Sequence, residues 1–152
     1  MSFKIDFGIV VNPVAHPDLV IIELFKDRVS FYKAKKTNSL NDIESENVVL
    51  ITEPDLTQTQ TLLNKIQKNR FNFNRFVTSS NLEVIKSLVV SGAGIGILPG
   101  RVVGIDSKKV EIVDPKLPVF EDRICLVYRA DMQKSSACRT FIEAVKSELK
   151  GR

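Results

Sequence analysis

A helix that leads directly into a glycine-rich apolar strand occupies residues 80–99, and it constrains the fold more than any other stretch. Ser80, followed three residues later by Glu83, is typical of the capping box that begins a helix. Gly92 suits the left-handed conformation that ends one. Apolar side chains line one face between these ends, at Leu82, Ile85, Leu88 and Val89. Residues 94–98 then predict a buried strand, which Pro99 terminates.

Strands and helices alternate along the rest of the chain. Strands are predicted at residues 7–11, 48–51, 75–77, 110–113 and 124–128. Residues 20–24 and 29–32 form either a hairpin or one long segment, because polar residues 26–28 separate them. Further helices are predicted near residues 40–43, after a cap at Asp55 with Gln58, and from residue 135 onward. This alternation predicts an α/β fold with a largely parallel sheet.

The bulk composition is that of an ordinary globular protein. The 152 residues are 43% hydrophobic and 26% charged, which suits one domain or two small lobes that share a core. The sequence has no apolar run of about 18 residues, the length needed to cross a bilayer, and its first residues do not resemble a signal peptide. We therefore expect a cytoplasmic protein with no membrane partner.

We interpret the two cysteines as packing residues and the clustered lysines as solvated residues. Cys125 and Cys138 lie in apolar segments, so we expect two buried thiols without a disulfide or a zinc site. Lys33, Lys35 and Lys36 form a short cluster in a chain of net charge +4. Because no aromatic residues are interleaved at binding spacing, we interpret the cluster as a solvated loop and not as a nucleic-acid site.

Residues suited to catalysis are few. His16 is the only histidine, and no nucleophile motif such as GxSxG accompanies it. Glu44, Glu46, Glu53 and Asp55 are interpreted as loop and cap residues. We therefore expect no catalytic residues, no metal, no cofactor and no enzymatic activity.

The glycines at 92, 94 and 96 do not form a dinucleotide fingerprint. That fingerprint lies between a strand and the following helix, so that the helix N-terminus faces the phosphates. Here the glycines follow a helix and enter a strand. Gly92 is interpreted as a helix cap, and Gly94 and Gly96 as positions of close packing.

A small-molecule site is predicted where several strands end. In open α/β sheets, ligands collect at the carboxyl ends of the strands, where helix N-termini present free amides. Hydroxyl, amide and bare backbone groups at these junctions suit a small anion such as a carboxylate. The alternative is that Ser80 and Asp55 only cap helices. The candidate residues are Asn12, Thr52, Glu53, Ser79, Ser80, Asn81, Leu98 and Pro99.

Residues 79–99, which read SSNLEVIKSLVVSGAGIGILP, resemble the signature stretch of the sensing domains of LysR-type transcriptional regulators. Residues 6–9 resemble that family's strand with an aspartate before an apolar run, and residues 124–129 its returning strand. The resemblance covers essentially the whole chain. It implies a periplasmic-binding-protein-like (type 2) fold of two lobes. Residues 25–119 would form a complete second lobe, and residues 1–24 and 120–152 an incomplete first lobe.

The resemblance also implies a mechanism. In the family, a small effector, often an organic acid or an amino acid, binds in the cleft between the lobes and shifts the relation between subunits. Thr52, Glu53, Ser79, Asn81 and Pro99 fall where the family lines that cleft. Glu53 is unsuited to an anion, so it either turns away or meets an amine. The chain lacks the family's winged helix-turn-helix, so we expect DNA binding only through that missing domain, and self-association as a dimer.

Two other functions share this architecture. One is a periplasmic solute-binding protein or a stand-alone sensor lobe. The other is an enzyme such as a prephenate dehydratase-like domain, in which Thr78-Ser79 would supply a hydroxyl for proton transfer.

Overall fold

The chain folds into two compact units in the computed structural model. The structure describes residues 6–36, 48–66, 73, 75–134 and 136–149. Unit 1 comprises Met1–Asp27 and Asp122–Arg152, and unit 2 comprises Arg28–Glu121. Within the described residues, no helix has the length and apolar character needed to cross a membrane. The helix predicted near residues 40–43 and the acidic residues Glu44 and Glu46 lie outside the described residues.

Unit 1 packs one long helix against antiparallel strands. Strand β1 (Phe7–Val11) pairs with β7 (Phe120–Arg129), and β2 (Leu19–Ala34) lies next to β7. A 3-10 helix (Ala130–Lys134) leads from β7 toward α4 (Ser136–Leu149). The core of the unit consists of Leu24, Leu126, Tyr128, Cys138 and Ile142. Helix α4 is therefore held by the apolar stripe that its sequence predicts.

Unit 2 places helices on both faces of its strands. Strand β3 (Val49–Thr52) pairs in parallel with β4 (Arg75–Thr78) and with β5 (Ile95–Pro99), and β5 pairs antiparallel with β2. Strand β6 (Val110–Ile112) also pairs antiparallel with β2. Helices α1 (Thr57–Ile66) and α2 (Leu82–Ser91) follow β3 and β4. After β5 come α3 (Gly100–Val103) and a 3-10 helix (Gly104–Lys108).

Alternate residues of the central strands belong to two separate hydrophobic cores in unit 2. Leu50 of β3 packs with Leu62 and Ile66 of α1, whereas the next residue, Ile51, packs with Ile85 and Val89 of α2. Successive side chains of a strand point to opposite faces, so a strand covered by helices on both faces must be apolar throughout. All five residues of β5 are buried accordingly.

The prediction of a largely parallel sheet is wrong. Among the described pairings, only those of β3 with β4 and with β5 are parallel, and these strands are the ones joined by helical crossovers. The pairings of β1 with β7, β2 with β5 and β2 with β6 are antiparallel. The two options left open for residues 20–32 resolve into one strand of 16 residues that contains polar residues 26–28.

The three features predicted for the glycine run are confirmed. Gly92 ends α2 with φ 86°, and its N–H and that of Ala93 donate to carbonyls of the last helical turn. A Cβ on Gly94 would overlap the carbonyl oxygen of Val49, and a Cβ on Gly96 would overlap Cγ2 of Val89. Glycine thus allows β5 to lie close to both β3 and α2.

The prediction for the two cysteines is confirmed, whereas the prediction for the lysine cluster is wrong at one residue. Cys125 and Cys138 are buried free thiols, as predicted. The interpretation of the lysine cluster as a solvated loop is wrong for Lys33, which lies buried in β2 with its Nζ 3.4 Å from a carboxylate oxygen of Glu111. Lys35 and Lys36 are exposed. The apolar methylene stem of the lysine is buried, and its ammonium group lies next to a carboxylate, so each part of the side chain has a suitable environment.

Candidate functional site

The carboxyl ends of β3 and β4 are joined at one point in unit 2. Thr52 and Thr78 are register partners at the ends of these parallel strands. The backbone N–H of Ser79, one residue further on, donates to the carbonyl of Thr52 at 3.2 Å. The loops at residues 53–56 and 79–81 therefore begin side by side, as expected for strands that end at the same edge.

Thr52 faces the interior of unit 2. Its side chain is buried, and its Oγ1 lies 3.2 Å from Oγ1 of Thr59 in α1. A buried hydroxyl pair of this kind satisfies both groups without solvent or ligand. Thr52 thus ties β3 to α1, whereas Glu53, the next residue, is half-buried at the start of the loop.

The residue that caps α2 is Asn81, so the prediction of a capping box at Ser80 is wrong. Asn81 has extended backbone angles, and its Oδ1 accepts a hydrogen bond from the N–H of Glu83 at 2.9 Å. Its own N–H donates to Oγ of Ser79 at 3.1 Å. Ser80 is exposed one position before the cap. Asparagine and serine are equally good caps, so residue type does not decide which of two neighbours occupies the position.

Two backbone amides at the start of α2 have no acceptor among the residues that the structure describes. The first N–H groups of a helix have no partner within it. Of these, the N–H of Glu83 donates to the cap and that of Asn81 to Ser79. Within the described part of the chain, the N–H groups of Leu82 and Val84 have no acceptor, and they lie next to the exposed Ser80. The positive end of the helix dipole favours an anion at this position.

The two candidate residues at the end of β5 are both buried. Leu98 is fully buried in the core formed with Ile85 and Val89, so its side chain faces the interior of unit 2. Pro99 is buried and precedes the four-residue helix α3. As a proline it has no N–H to offer.

Asn12 belongs to unit 1, where it holds β1 to β7. Its Nδ2 donates to Oδ1 of Asp122 at 2.9 Å, and its Oδ1 accepts from the N–H of Arg123 at 2.8 Å. Its backbone N–H donates to the carbonyl of Arg123. Its φ of 51° lies in the left-handed region, which asparagine tolerates better than most residues. Both polar atoms of this side chain are thus engaged within unit 1.

Helix α1 begins one residue later than predicted. It starts at Thr57, and the carbonyl of Leu56 accepts the hydrogen bond from Gln60. Leu56 therefore occupies the position assigned to Asp55, which is exposed in the preceding turn.

A charged cluster next to α2 was not identified from the sequence. The Nζ of Lys86 lies 2.5 Å from a carboxylate oxygen of Glu83 and 3.5 Å from one of Asp106, and Lys109 lies 2.8 Å from Asp106. The hydrogen bond from Lys109 lowers the pKa of Asp106, and that to Glu83 raises the pKa of Lys86. The spacing of Glu83 and Lys86 on a helix was the available signal.

No metal-ligating group of three or more His, Cys, Asp and Glu side chains occurs within the described ranges. His16 lies in an exposed loop, where Nδ1 accepts from the N–H of Asp18 at 3.2 Å.

Comparison with known proteins gives a consistent assignment. The model of the LysR substrate binding domain matches residues 2–150. The uncharacterized HTH-type transcriptional regulator YwbI of Bacillus subtilis (strain 168) is 24% identical over 154 residues, covering 96% of this chain and 51% of that protein. The chain thus spans about half the length of the curated relative that it matches.

Solved structures of low identity share the fold. Full-length HypT from Salmonella typhimurium, a hypochlorite-specific LysR-type transcriptional regulator, superposes with a TM-score of 0.72 at 17% identity, over 94% of this chain and 50% of that one. The CcmR regulatory domain of Synechocystis PCC6803, in complex with 2-PG, superposes with a TM-score of 0.68 at 18% identity, over 96% and 74%. This chain belongs to the family of LysR substrate-binding domains, the effector-binding part of LysR-type transcriptional regulators, and has their periplasmic-binding-protein-like fold.

Proposed function

We propose that this chain is the sensing part of a LysR-type transcription regulator and binds a small anionic metabolite. The family match over residues 2–150 is the observation that carries this proposal. One related domain is described in complex with 2-PG, and the HypT regulatory domain is described with bromide bound. A carboxylate-bearing organic acid or amino acid is the class of effector that the chemistry at the strand ends of unit 2 suits.

The start of α2 is the part of unit 2 that we propose contacts the anion. The N–H groups of Leu82 and Val84 would donate to it, and the exposed hydroxyl of Ser80 would add a third donor. Ser79 and Asn81 would hold this turn in shape through their mutual hydrogen bonds. Glu53 would meet the ammonium group of an effector that carries one. Thr52 and Leu98 are left out because their side chains face the interior.

Effector binding would then alter how the subunits of the complete regulator are arranged. DNA binding would belong to a helix-turn-helix domain, as the name of the Bacillus relative indicates for that protein. The ligand acts on this arrangement only if its affinity differs between two arrangements of the subunits. The expected state in the cell is a dimer or a larger oligomer.

A charge introduced at Ser80 tests the anion site without removing packing. A panel of organic acids and amino acids is first screened by the shift in melting temperature, since a ligand that binds only the folded state raises it. For a hit, Ser80→Asp should lower the affinity about tenfold or more, because the new carboxylate repels the anion at close range. Ser80→Ala is the matched control, with a loss of only about twofold to tenfold for one neutral hydrogen bond.

Two results would contradict the proposal. One is a panel in which no organic acid or amino acid shifts the melting temperature. The other is an anion whose affinity is the same in Ser80→Asp as in the unaltered chain.

A further inference from the structure

Strand β1 lies at one edge of the sheet and carries no charged residue. Among the described residues it pairs with β7 alone. Edge strands of soluble proteins are usually protected by charged side chains, proline or a bulge, because their outer N–H and C=O groups can pair with another chain. The sequence of β1, FGIVV, contains neither a charge nor a proline, and its register with β7 is regular. The outer side of β1 is therefore suited to pairing with a further strand.

The hydrogen bonds to β7 determine which backbone groups of β1 point outward. The N–H of Asn12 donates to the carbonyl of Arg123 at 2.9 Å, and these residues face each other when the register is continued by one position. Residue pairs in an antiparallel ladder alternate between hydrogen-bonded and non-hydrogen-bonded pairs. The residues at even positions therefore bond to β7. The residues whose N–H and C=O groups point outward are Phe7, Ile9 and Val11.

The side chain of Ile9 lies on the core face of β1 but is largely exposed. Ile9 is the register partner of Leu126, which belongs to the core of unit 1, so both side chains point to the same face of the sheet. Nevertheless, Ile9 is 60% exposed, because the sheet ends beside it. A strand added at this edge would cover the isoleucine.

Helix α4 continues this apolar surface on the same face. Phe141 is 44% exposed, and its ring centroid lies 4.5 Å from that of Phe7. Ala137 and Ala144 precede and follow Phe141 by about one helical turn, so they share its flank of the helix, and both are exposed. The next residue on this flank, Glu148, is its first charge toward the C-terminus. Beside β1, the flank is thus uncharged over about two turns.

We propose that β1 pairs antiparallel with β1 of a second copy of this chain, about a two-fold axis at Ile9. In this register Ile9 lies opposite its counterpart, and Phe7 lies opposite Val11. Every outward N–H and C=O group of the strand then has a partner. The next pair is Asp6 with Asn12 of the second copy, so no like charges face each other.

The same symmetry brings the apolar flanks of the two α4 helices to one side of the joined sheet. The two-fold axis that relates neighbouring antiparallel strands is perpendicular to the sheet, so it leaves both helices on the same face. Ile9 and Phe141 of each copy would then border the seam between the β1 strands. A second copy suits this edge because the outward groups are arranged symmetrically about Ile9 and include no charge that needs an opposite one.

This contact gives a surface to the self-association expected under the proposed function, and it rests on that part of the function. The anion site takes no part in it, because that site belongs to unit 2 and β1 belongs to unit 1. The failure of one can therefore be distinguished from the failure of the other.

Sedimentation velocity of the whole chain tests the proposal. A dimer is expected, with a share that grows with protein concentration. Ile9→Lys should raise its dissociation constant about tenfold or more, because it places two ammonium groups opposite each other and removes two apolar side chains from the seam. Phe76→Lys is the matched control. Phe76 is 55% exposed in β4, at the other edge of the sheet, so this change should leave the dimer intact.

Introduced cysteines test the register on a non-reducing gel. Ile9→Cys should form an interchain disulfide under mild oxidation, because the Cα atoms of opposed hydrogen-bonded residues lie about 5.5 Å apart, within disulfide range. Val10→Cys is the control for position. Val10 would lie opposite Gly8 of the second copy, which places the two new cysteines on a diagonal of about 7–8 Å, too far for efficient linkage. The native Cys125 and Cys138 are buried.

Three results would overturn the proposal. The first is a chain that sediments as a monomer at about 200 μM, which would assign the edge of β1 to another occupant, such as a further segment of a longer regulator. The second is a dimer that persists in Ile9→Lys or dissociates in Phe76→Lys. The third is a disulfide that forms in Val10→Cys and not in Ile9→Cys. An organic acid that binds the unaltered chain should still shift the melting temperature of Ile9→Lys, since the anion site is unchanged.

Discussion

Gly96 of β5 lies so close to Val89 of α2 that a Cβ on the glycine would overlap Cγ2 of the valine. This approach brings the glycine-rich strand against the helix that precedes it, and both residues belong to the interior of unit 2. Gly96→Ala should therefore destabilise the protein by about 1–3 kcal/mol, because the added methyl must displace Val89 or the strand. Urea unfolding followed by circular dichroism measures the loss.

Gly8→Ala is the matched control for this overlap. A Cβ at Gly8 in β1 would meet Cγ2 of Val10 at 3.6 Å, an ordinary van der Waals contact. Replacing glycine there should leave the stability unchanged or raise it by about 0.4–1 kcal/mol, because alanine lowers the entropy of the unfolded chain. Equal losses in the two variants would contradict the close approach of β5 and α2.

Asn81→Ala should destabilise the protein by about 1 kcal/mol, because it removes the acceptor for the N–H of Glu83 at the start of α2. Ser80→Ala, one residue earlier, should change the stability by less than about 0.5 kcal/mol. The comparison decides between the cap that the structure shows and the capping box that the sequence predicted. A larger loss at Ser80 than at Asn81 would show that the helix begins one residue earlier.

Thr52 and Thr59 should show strong coupling in a double-mutant cycle. Their hydroxyls lie 3.2 Å apart and are buried. Thr52→Val or Thr59→Val alone leaves one buried hydroxyl unpaired and should cost about 1–3 kcal/mol, whereas the double variant should cost less than the sum of the two single losses. Additive losses from thermal unfolding would mean that the two hydroxyls do not bond to each other.

Asp106 should make the stability depend on pH in the acid range. Its pKa is lowered from 3.8 by the hydrogen bond from Lys109 and by the charges of Lys109 and Lys86. A lowered pKa in the folded state means that the stabilisation is present above about 3.8 and is lost as the pH falls through the folded-state pKa. The difference in urea midpoint between the unaltered chain and Asp106→Asn should be largest near neutral pH. It should shrink as the pH falls below about 3.8.

Lys86 of the same cluster should make the stability depend on pH in the alkaline range, with the opposite sign. The pKa of Lys86 is raised from 10.5, chiefly by the hydrogen bond to Glu83. Its contribution is therefore present below 10.5 and is lost as the pH rises through the raised folded-state pKa. Concentrated salt should reduce both effects, because the groups are close to solvent. A difference for Asp106→Asn that is independent of pH from neutral to acid would contradict the ion pairs.

Local sequence signals predicted the elements whose ends are set by a single residue type. Gly92 was identified as the end of α2 because few other residues adopt its backbone angles, and Pro99 as the end of a buried strand. The close-packed roles of Gly94 and Gly96 also followed from the sequence. Glycine inside an apolar strand indicates that another part of the chain lies near.

The signals were weaker where several residue types serve equally well. Ser80, Asn81 and Asp55 are all good helix caps, so the positions at which α1 and α2 begin were each misplaced by one residue. Those positions depend on where β3 and β4 end, and that is set by strand pairing between distant residues such as Thr52 and Thr78. The polar residues 26–28 likewise suggested a turn, yet they continue a strand.

The sequence by itself determined the family, the helix and strand periods, and the apolar character of β3 and β5, because these depend on residues close together in the chain. Only the tertiary structure decided that Thr52 and Leu98 face the interior, that the buried hydroxyl of Ser30 has no partner among the described residues, and that Lys86 and Asp106 form an ion pair. Each of these depends on residues far apart in sequence that meet only when the strands pair and the helices cover them. The amino-acid sequence shows which residue types are present, whereas tertiary packing determines which of them are in contact.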